Sequence, residues 1–248
     1  IPFSSSSPTI VNLSSKEPLS VLAFLNTTVS HSILTALNPT LQLNVGEVLD
    51  TPLELPEDCG RVETLSESCV GLAKEEWDSF ETSWDFVRHP FFAAKEEIAF
   101  GQFASSRMRM ANRLKECFRE WESQCEKRYH SLMQYEEELN RIFIDVYGLQ
   151  KELTPEVEDK DITIRKADIQ RDVRSFISYA VGCMFGRYSL DVPGLVFAGG
   201  NWDASKYISF QPDKDAIIPI CDDEYFLDDI VGRFVDFIKS VYGEDTLE

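Results

Sequence analysis

A mainly α-helical fold with a few short strands is what these 248 residues predict. Three patterns carry that expectation. Apolar residues recur at three- and four-residue steps along several stretches, the spacing of one buried helix face. One of those stretches, about 103–147, runs through a charged background without a proline. Around Leu41, Leu43 and Val45 apolar and polar residues alternate as in a half-buried strand.

Taken in order, residues 1–17 hold the serine run Ser4–Ser7 with Pro2 and Pro8, and read as loop or extended edge. A helix is expected from Pro18, with Ser14 or Ser15 as N-cap and Pro18 in the first turn. Leu22, Leu25, Val29, Ile33 and Leu37 form its buried face, and Asn38-Pro39 stops it. The strand over Leu41, Leu43 and Val45 follows and breaks at Gly46. Residues 60–100 carry Trp77, Trp84 and the Phe91-Phe92 pair, and predict two short helices around a turn at His89-Pro90.

The long pattern comes next. Ala111, Leu114, Phe118, Trp121, Cys125, Leu132, Leu139, Ile142 and Val146 mark one face, and Gly148 is the expected stop. At 1.5 Å per residue such a helix is about 65 Å long, the length of a coiled coil or a spacer. A further helix is expected after Asp168, with Val173, Phe176, Ile177, Ala180, Val181 and Met184 inward. Gly182 and Gly186, four apart, are expected to let another backbone approach. Residues 189–219 form a Gly/Pro/Asp-rich loop, and Ile230, Phe234, Phe237 and Val241 mark a last amphipathic helix in an acidic tail. The expected organisation is therefore 1–58, a helix-then-strand unit; 59–150, a helical spacer; and 151–248, a helical C-terminal part. The chain opens at Ile1 without an initiator Met and stops at Glu248 just past an amphipathic stretch, which reads as a piece of something longer.

Composition bounds the function. Lys plus Arg is 24 against 43 Asp plus Glu, a net −19, which argues against a free-standing non-specific nucleic-acid binder. Hydrophobic residues at 43% place the chain among globular proteins. No apolar run has the length of a membrane span and no signal peptide is recognisable, so the expected location is cytoplasmic. The six cysteines are widely spaced without a C-x-x-C, so reduced thiols are expected rather than zinc ligands. Against the overall charge, residues 107–128 hold seven basic residues and four glutamates, a net +3. Arg107, Arg109, Arg113 and Lys115 precede the first of those glutamates. They read either as a solvated helix face or as a phosphate-contacting stripe.

No active site is recognisable. His31, His89 and His130 lack an evident Ser or Cys partner. Asp222-Asp223 and Asp228-Asp229 suit solvated or N-capping roles better than cation binding. Asn38-Pro39-Thr40 is similar to the Asn-Pro-Pro-aromatic loop of amino-group DNA methyltransferases, which accepts hydrogen bonds from a flipped base and stacks on it. The second proline and the aromatic are missing, so a helix stop accounts for it better. Gly199-Gly200 follows an apolar run, but no capped helix comes after it to hold a nucleotide-like cofactor.

Two places carry a resemblance. Val21-Leu22-Ala23-Phe24-Leu25-Asn26 through Asn38-Pro39-Thr40, then Leu41-Gln42-Leu43-Asn44-Val45-Gly46-Glu47-Val48, resembles the segment that ends a target-recognition region in single-chain adenine methyltransferases. In the related type I specificity subunits a long spacer helix follows such a segment. The second is more specific: Trp77 to Phe86, Glu136-Glu137-Glu138-Leu139-Asn140-Arg141, Asp228 to Phe234, and above all Ser178 to Asp191 resemble the PglX methyltransferases of BREX phage-defence systems.

That resemblance implies a large protein that transfers a methyl group from S-adenosylmethionine to adenine N6 in a short DNA site, with the catalytic core preceding this region. No catalytic, cofactor-binding or metal residue carries over onto this chain. The implied role is a non-catalytic DNA-recognition and spacer portion, with double-stranded DNA as partner through the longer protein. Arg107, Arg109, Arg113 and Lys115 are the candidates for backbone contact, Gln42 and Asn44 weaker ones, and Arg187 a further one. The alternative expectation is a scaffold that docks other defence-system proteins.

Overall fold

The computed structural model describes residues 18–38, 40, 45–92, 114–221, 225–226 and 228–243. The described residues are mainly α-helical, in the order α1 (Pro18–Leu25), α2 (Thr28–Leu37), α3 (Val45–Asp50), α4 (Cys59–Asp78), α5 (Leu114–Tyr147), α6 (Ile169–Met184), a single 3-10 turn (Ala204–Lys206) and α7 (Ile230–Tyr242). Residues 93–113, including the start of the expected long helix, lie outside the described residues.

The expected short strands are not found among the described residues. Leu41–Asn44 lie outside them, and Val45 begins α3 instead of ending a strand. A lone alternating run without a partner strand leaves its backbone groups unpaired, whereas a helical turn satisfies them locally. The Glu47 carboxylate in the first turn of α3 also accepts from Asn38 Nδ2 at 2.7 Å.

The single helix expected over 18–37 is two helices bent by 68°. Asn26 and Thr27 end α1, and Thr27 then caps α2 by accepting from Ser30 N at 3.3 Å. A side-chain oxygen that satisfies free N–H groups starts a new helix at little cost. The break turns the apolar face. Ala23, Phe24 and Val29 are buried, while Leu22 and Leu37, expected inward, are exposed. No single helix among the described residues is long and apolar enough to cross a membrane.

Of the two short helices expected over 60–100, the first is longer than expected; residues 90–92 are helical after the turn, and 93–100 lie outside the described residues. Val62, Leu65, Cys69 and Leu72 keep the three- and four-residue spacing through α4, which therefore runs unbroken for 20 residues before the chain turns through 79–88. Helix α5 ends where expected. Gly148 adopts φ +66°, and Leu149 N and Gly148 N donate to Ile144 O and Asp145 O, the paired bonds of a left-handed helix stop.

The chain folds as two compact units. One comprises 1–74 and 128–164, the other 75–127 and 165–248, so α5 contributes its second half to the first and its first half to the second. In the first unit, Phe24 packs between Phe143 (5.5 Å) and Tyr147 (5.7 Å), joined by Ala23, Val29, Val62 and Leu65. The Tyr147 hydroxyl donates to Pro52 O at 2.6 Å and accepts from Glu54 N at 2.8 Å, pinning the segment ahead of α4.

The second unit has an aromatic core. Phe176 meets Phe91, Phe237 and Tyr242 within 5.5 to 6.1 Å. Asp168 caps α6 by accepting from Arg171 N at 2.7 Å, and Asp229 caps α7 by accepting from Gly232 N at 2.8 Å. Ile177, expected inward on α6, is exposed at 43%, because the core face follows Phe176, Tyr179, Ala180, Cys183 and Met184. All six cysteines are free thiols.

Candidate functional site

The motif Ser178 to Asp191 is built around the end of α6. Gly186 takes φ +74°, Gly186 N donates to Cys183 O and Arg187 N to Gly182 O. These two bonds close the helix and force a left-handed residue, which favours glycine. The expectation that Gly182 and Gly186 admit another backbone is corrected. A Cβ on Gly182 would lie 2.6 Å from the Tyr188 ring, and one on Gly186 2.7 Å from the Trp202 ring. Both glycines thus seat aromatic rings of the same unit. Tyr188 continues the contact by stacking on Tyr179 at 5.2 Å, and Trp202 stacks on Tyr207 at 4.7 Å.

Hydrogen bonds tie the following loop to this scaffold. The Tyr207 hydroxyl donates to Gly186 O at 2.5 Å, and Ser189 Oγ donates to Lys206 O at 2.6 Å. Asp191 accepts from Ile208 N, Ser209 N and Ser209 Oγ. Burial pushes the Asp191 carboxyl up, but the bonds from Ser209, Ile208 and Ser189 outweigh it and hold it below its ordinary value. Burial raises the Cys183 thiol to about 12, so it is a packed side chain and no ready nucleophile.

Arg187 is exposed on this frame, its Nε donating to the Tyr188 hydroxyl at 3.2 Å. Lys115 is exposed on the first turn of α5 in the same unit. The other proposed contacts, Arg107, Arg109, Arg113, Gln42 and Asn44, lie outside the described residues.

The first unit holds a different feature. A cavity of about 330 Å³ is lined by His31, Glu136, Asn140, Glu156 and Asp161, and Glu136 also lines a smaller, mainly apolar one with Leu22, Cys69, Leu132 and Leu139. Asn140 holds the wall by accepting from Thr28 N at 2.9 Å and donating to Pro155 O at 3.1 Å. Burial, then the nearby Asp161, raises the Glu136 carboxyl to about 7. An acid-lined cavity repels phosphate and does not suit a nucleic-acid backbone. In the sequence, Glu136 and Asn140 stand out only as part of the Glu136-to-Arg141 run that carries the resemblance, because nothing in their spacing shows a cavity.

No protein-family model matches the chain. It is 44% identical over 228 residues, 91% of its length, to the adenine-specific methyltransferase PglX of Lacticaseibacillus casei (strain Zhang). It is 28% identical over 252 residues to the adenine-specific methyltransferase BrxX of Escherichia coli O9:H4 (strain HS). The chain spans 18% and 19% of the length of these two relatives.

Proposed function

We propose that this chain, homologous to one segment of the PglX-type adenine-specific methyltransferases, is the non-catalytic DNA-recognition and spacer portion of such an enzyme. The match over 91% of the chain is the observation that carries the reading. It is supported by α5, an uninterrupted helix of 34 residues that contributes to both hydrophobic cores, as a spacer element does. Lys115 and Arg187, both exposed, are the described candidates for phosphate contact, with Arg107, Arg109 and Arg113 just ahead of Lys115 in sequence.

S-adenosylmethionine belongs to the longer protein on this reading. The turn at Gly199 and Gly200 leads to one 3-10 turn at Ala204–Lys206, not to the strand-to-helix crossing whose backbone cradles a nucleotide-like cofactor. On this reading the chain holds recognition elements and places positive side chains against the DNA backbone.

Calorimetric titration with S-adenosylmethionine and DNA titration at two salt concentrations test the reading. The expected result is no cofactor binding, with weak DNA binding that falls steeply as salt rises. Lys115→Glu together with Arg187→Glu flattens that slope. Tight cofactor binding, or methyl transfer by the chain alone, overturns the reading.

A further inference from the structure

Glu136 of α5 lines two cavities of the first unit, whose described walls both come from 18–74 and 128–164. The larger, about 330 Å³, has the size of a small-molecule site, roughly 300–1,000 Å³. The smaller, about 170 Å³, is walled largely by Leu22, Ala23, Cys69, Val70, Leu132 and Leu139. Asn26 and Thr163 also line both, so the polar space and the apolar one adjoin at Glu136.

Among the described residues no lysine or arginine lines either cavity. Glu156 already accepts from Thr154 Oγ1 at 2.7 Å, and Lys160 pairs with Glu158 at 2.7 Å. Nothing of the kind offsets the Glu136 carboxyl, where burial and then Asp161 both favour the protonated form. In the same wall Thr28 holds a buried Oγ1 without a hydrogen-bond partner. A carboxyl with no cation and a hydroxyl oxygen with no donor are both groups that a positive N–H donor satisfies. A bare metal ion suits them less, because among the described residues no three His, Cys, Asp or Glu side chains converge as ligands.

We propose that these adjoining cavities bind an organic ammonium ion that carries a short hydrocarbon chain. The ammonium lies between Glu136 and Asp161 and removes the repulsion between their carboxylates. The chain enters the apolar space bordered by Val70, Leu132 and Leu139, where each buried CH₂ tightens binding about fourfold. Glu136 gives up its proton as the cation arrives and becomes half of an ion pair. The site stands on this geometry alone and does not depend on the DNA-recognition reading.

Titration of the 248-residue chain with butylammonium chloride, followed by backbone amide NMR shifts, tests the proposal. Saturable shifts are expected over 26–31, 69–73, 132–140 and 161–163. Ammonium chloride has the charge without the chain and butanol the chain without the charge, and each should bind at least roughly tenfold more weakly. Glu136→Gln should weaken butylammonium at least roughly tenfold without lowering the melting temperature, and Asp161→Asn should weaken it severalfold. Affinity should rise about tenfold from pH 6 to pH 8, as Glu136 ionises through about 7. His31, Cys69, Glu156 and Asp161 also face this space, so Glu136→Gln is the control and should lose most of that rise. Shifts that are absent, or that spread over the acidic surface without saturating, overturn the proposal. So does a Glu136→Gln chain that binds as tightly as wild type. Butanol that binds as well as butylammonium assigns the space to neutral apolar molecules, and magnesium chloride that displaces the amine at equal concentration assigns it to a metal; either also overturns it.

Discussion

Trp121 of α5 donates its indole N–H to the Asp172 carboxylate of α6 at 3.0 Å, in the interior of the second unit. The same Oδ2 accepts from Asp168 N at 3.0 Å, and Oδ1 accepts from Arg171 Nε at 2.6 Å. Asp172 is 2% exposed, so a carboxylate taken out of water is compensated by two N–H donors and a guanidinium. The arrangement links the two helices in a way that apolar packing alone does not.

Asp172→Ala is expected to cost about 1–3 kcal/mol, because it leaves the buried indole N–H without an acceptor. Asp172→Asn keeps an acceptor for the indole and should cost less. Urea denaturation of the 248-residue chain measures both, and equal midpoints for wild type and Asp172→Ala would show that the carboxylate contributes nothing.

At Gly182, a methyl group meets the Tyr188 ring at 2.6 Å. Gly182→Ala should destabilise by about 1–3 kcal/mol despite the better helix propensity of alanine. Tyr188→Leu in the same chain should recover part of the loss, since the clash is with the ring. A double-mutant cycle by thermal melts reads the coupling, and strict additivity of the two changes would refute it.

His89 predicts an acid-side loss of stability. Its ring is buried among Phe91, Phe176 and Tyr179, and burial lowers it to about 3 from an ordinary 6.5. Between those values the unfolded chain binds the extra proton and the folded chain does not. Stability from this group is therefore complete above about pH 6.5 and declines by about 1.4 kcal/mol per unit as pH falls toward 3. His89→Phe should flatten that part of the pH–stability curve.

Glu136 acts with the opposite sign. Its carboxyl, raised to about 7 from an ordinary 4.5, holds a proton in the folded state that the unfolded chain has released. Its favourable contribution is present below pH 4.5 and is lost as pH rises through 7. Glu136→Gln should raise the melting temperature at pH 8 and leave it nearly unchanged at pH 4. An equal effect at both values would mean that the cavity does not perturb the carboxyl.

Much of the helical framework was legible. The spacing in 114–147, the stop at Gly148 and the caps at Asp168 and Asp229 are local signals: side-chain period, left-handed glycine, short polar acceptor. The break at Thr27 is not legible in the sequence, because Leu22 to Leu37 keep helical spacing across it and only the cap shows that the helix restarts. Neither is α3, since a short alternating run does not reveal whether a partner strand exists. The Arg107–Lys115 stripe was legible as charge, though most of it lies outside the described residues.

By itself the sequence determined the class of fold, the long helix, its C-terminal stop and the likeness to the PglX-type proteins, because periodicity, caps and shared residues are properties of neighbours along the chain. Only the tertiary structure decided that α5 serves two separate cores, that Gly182 and Gly186 seat the rings of Tyr188 and Trp202, and that Glu136 is drawn into a cavity beside Asp161. Those outcomes depend on which distant segments meet. Burial and electrostatics follow from what surrounds a side chain in space, which sequence spacing does not record.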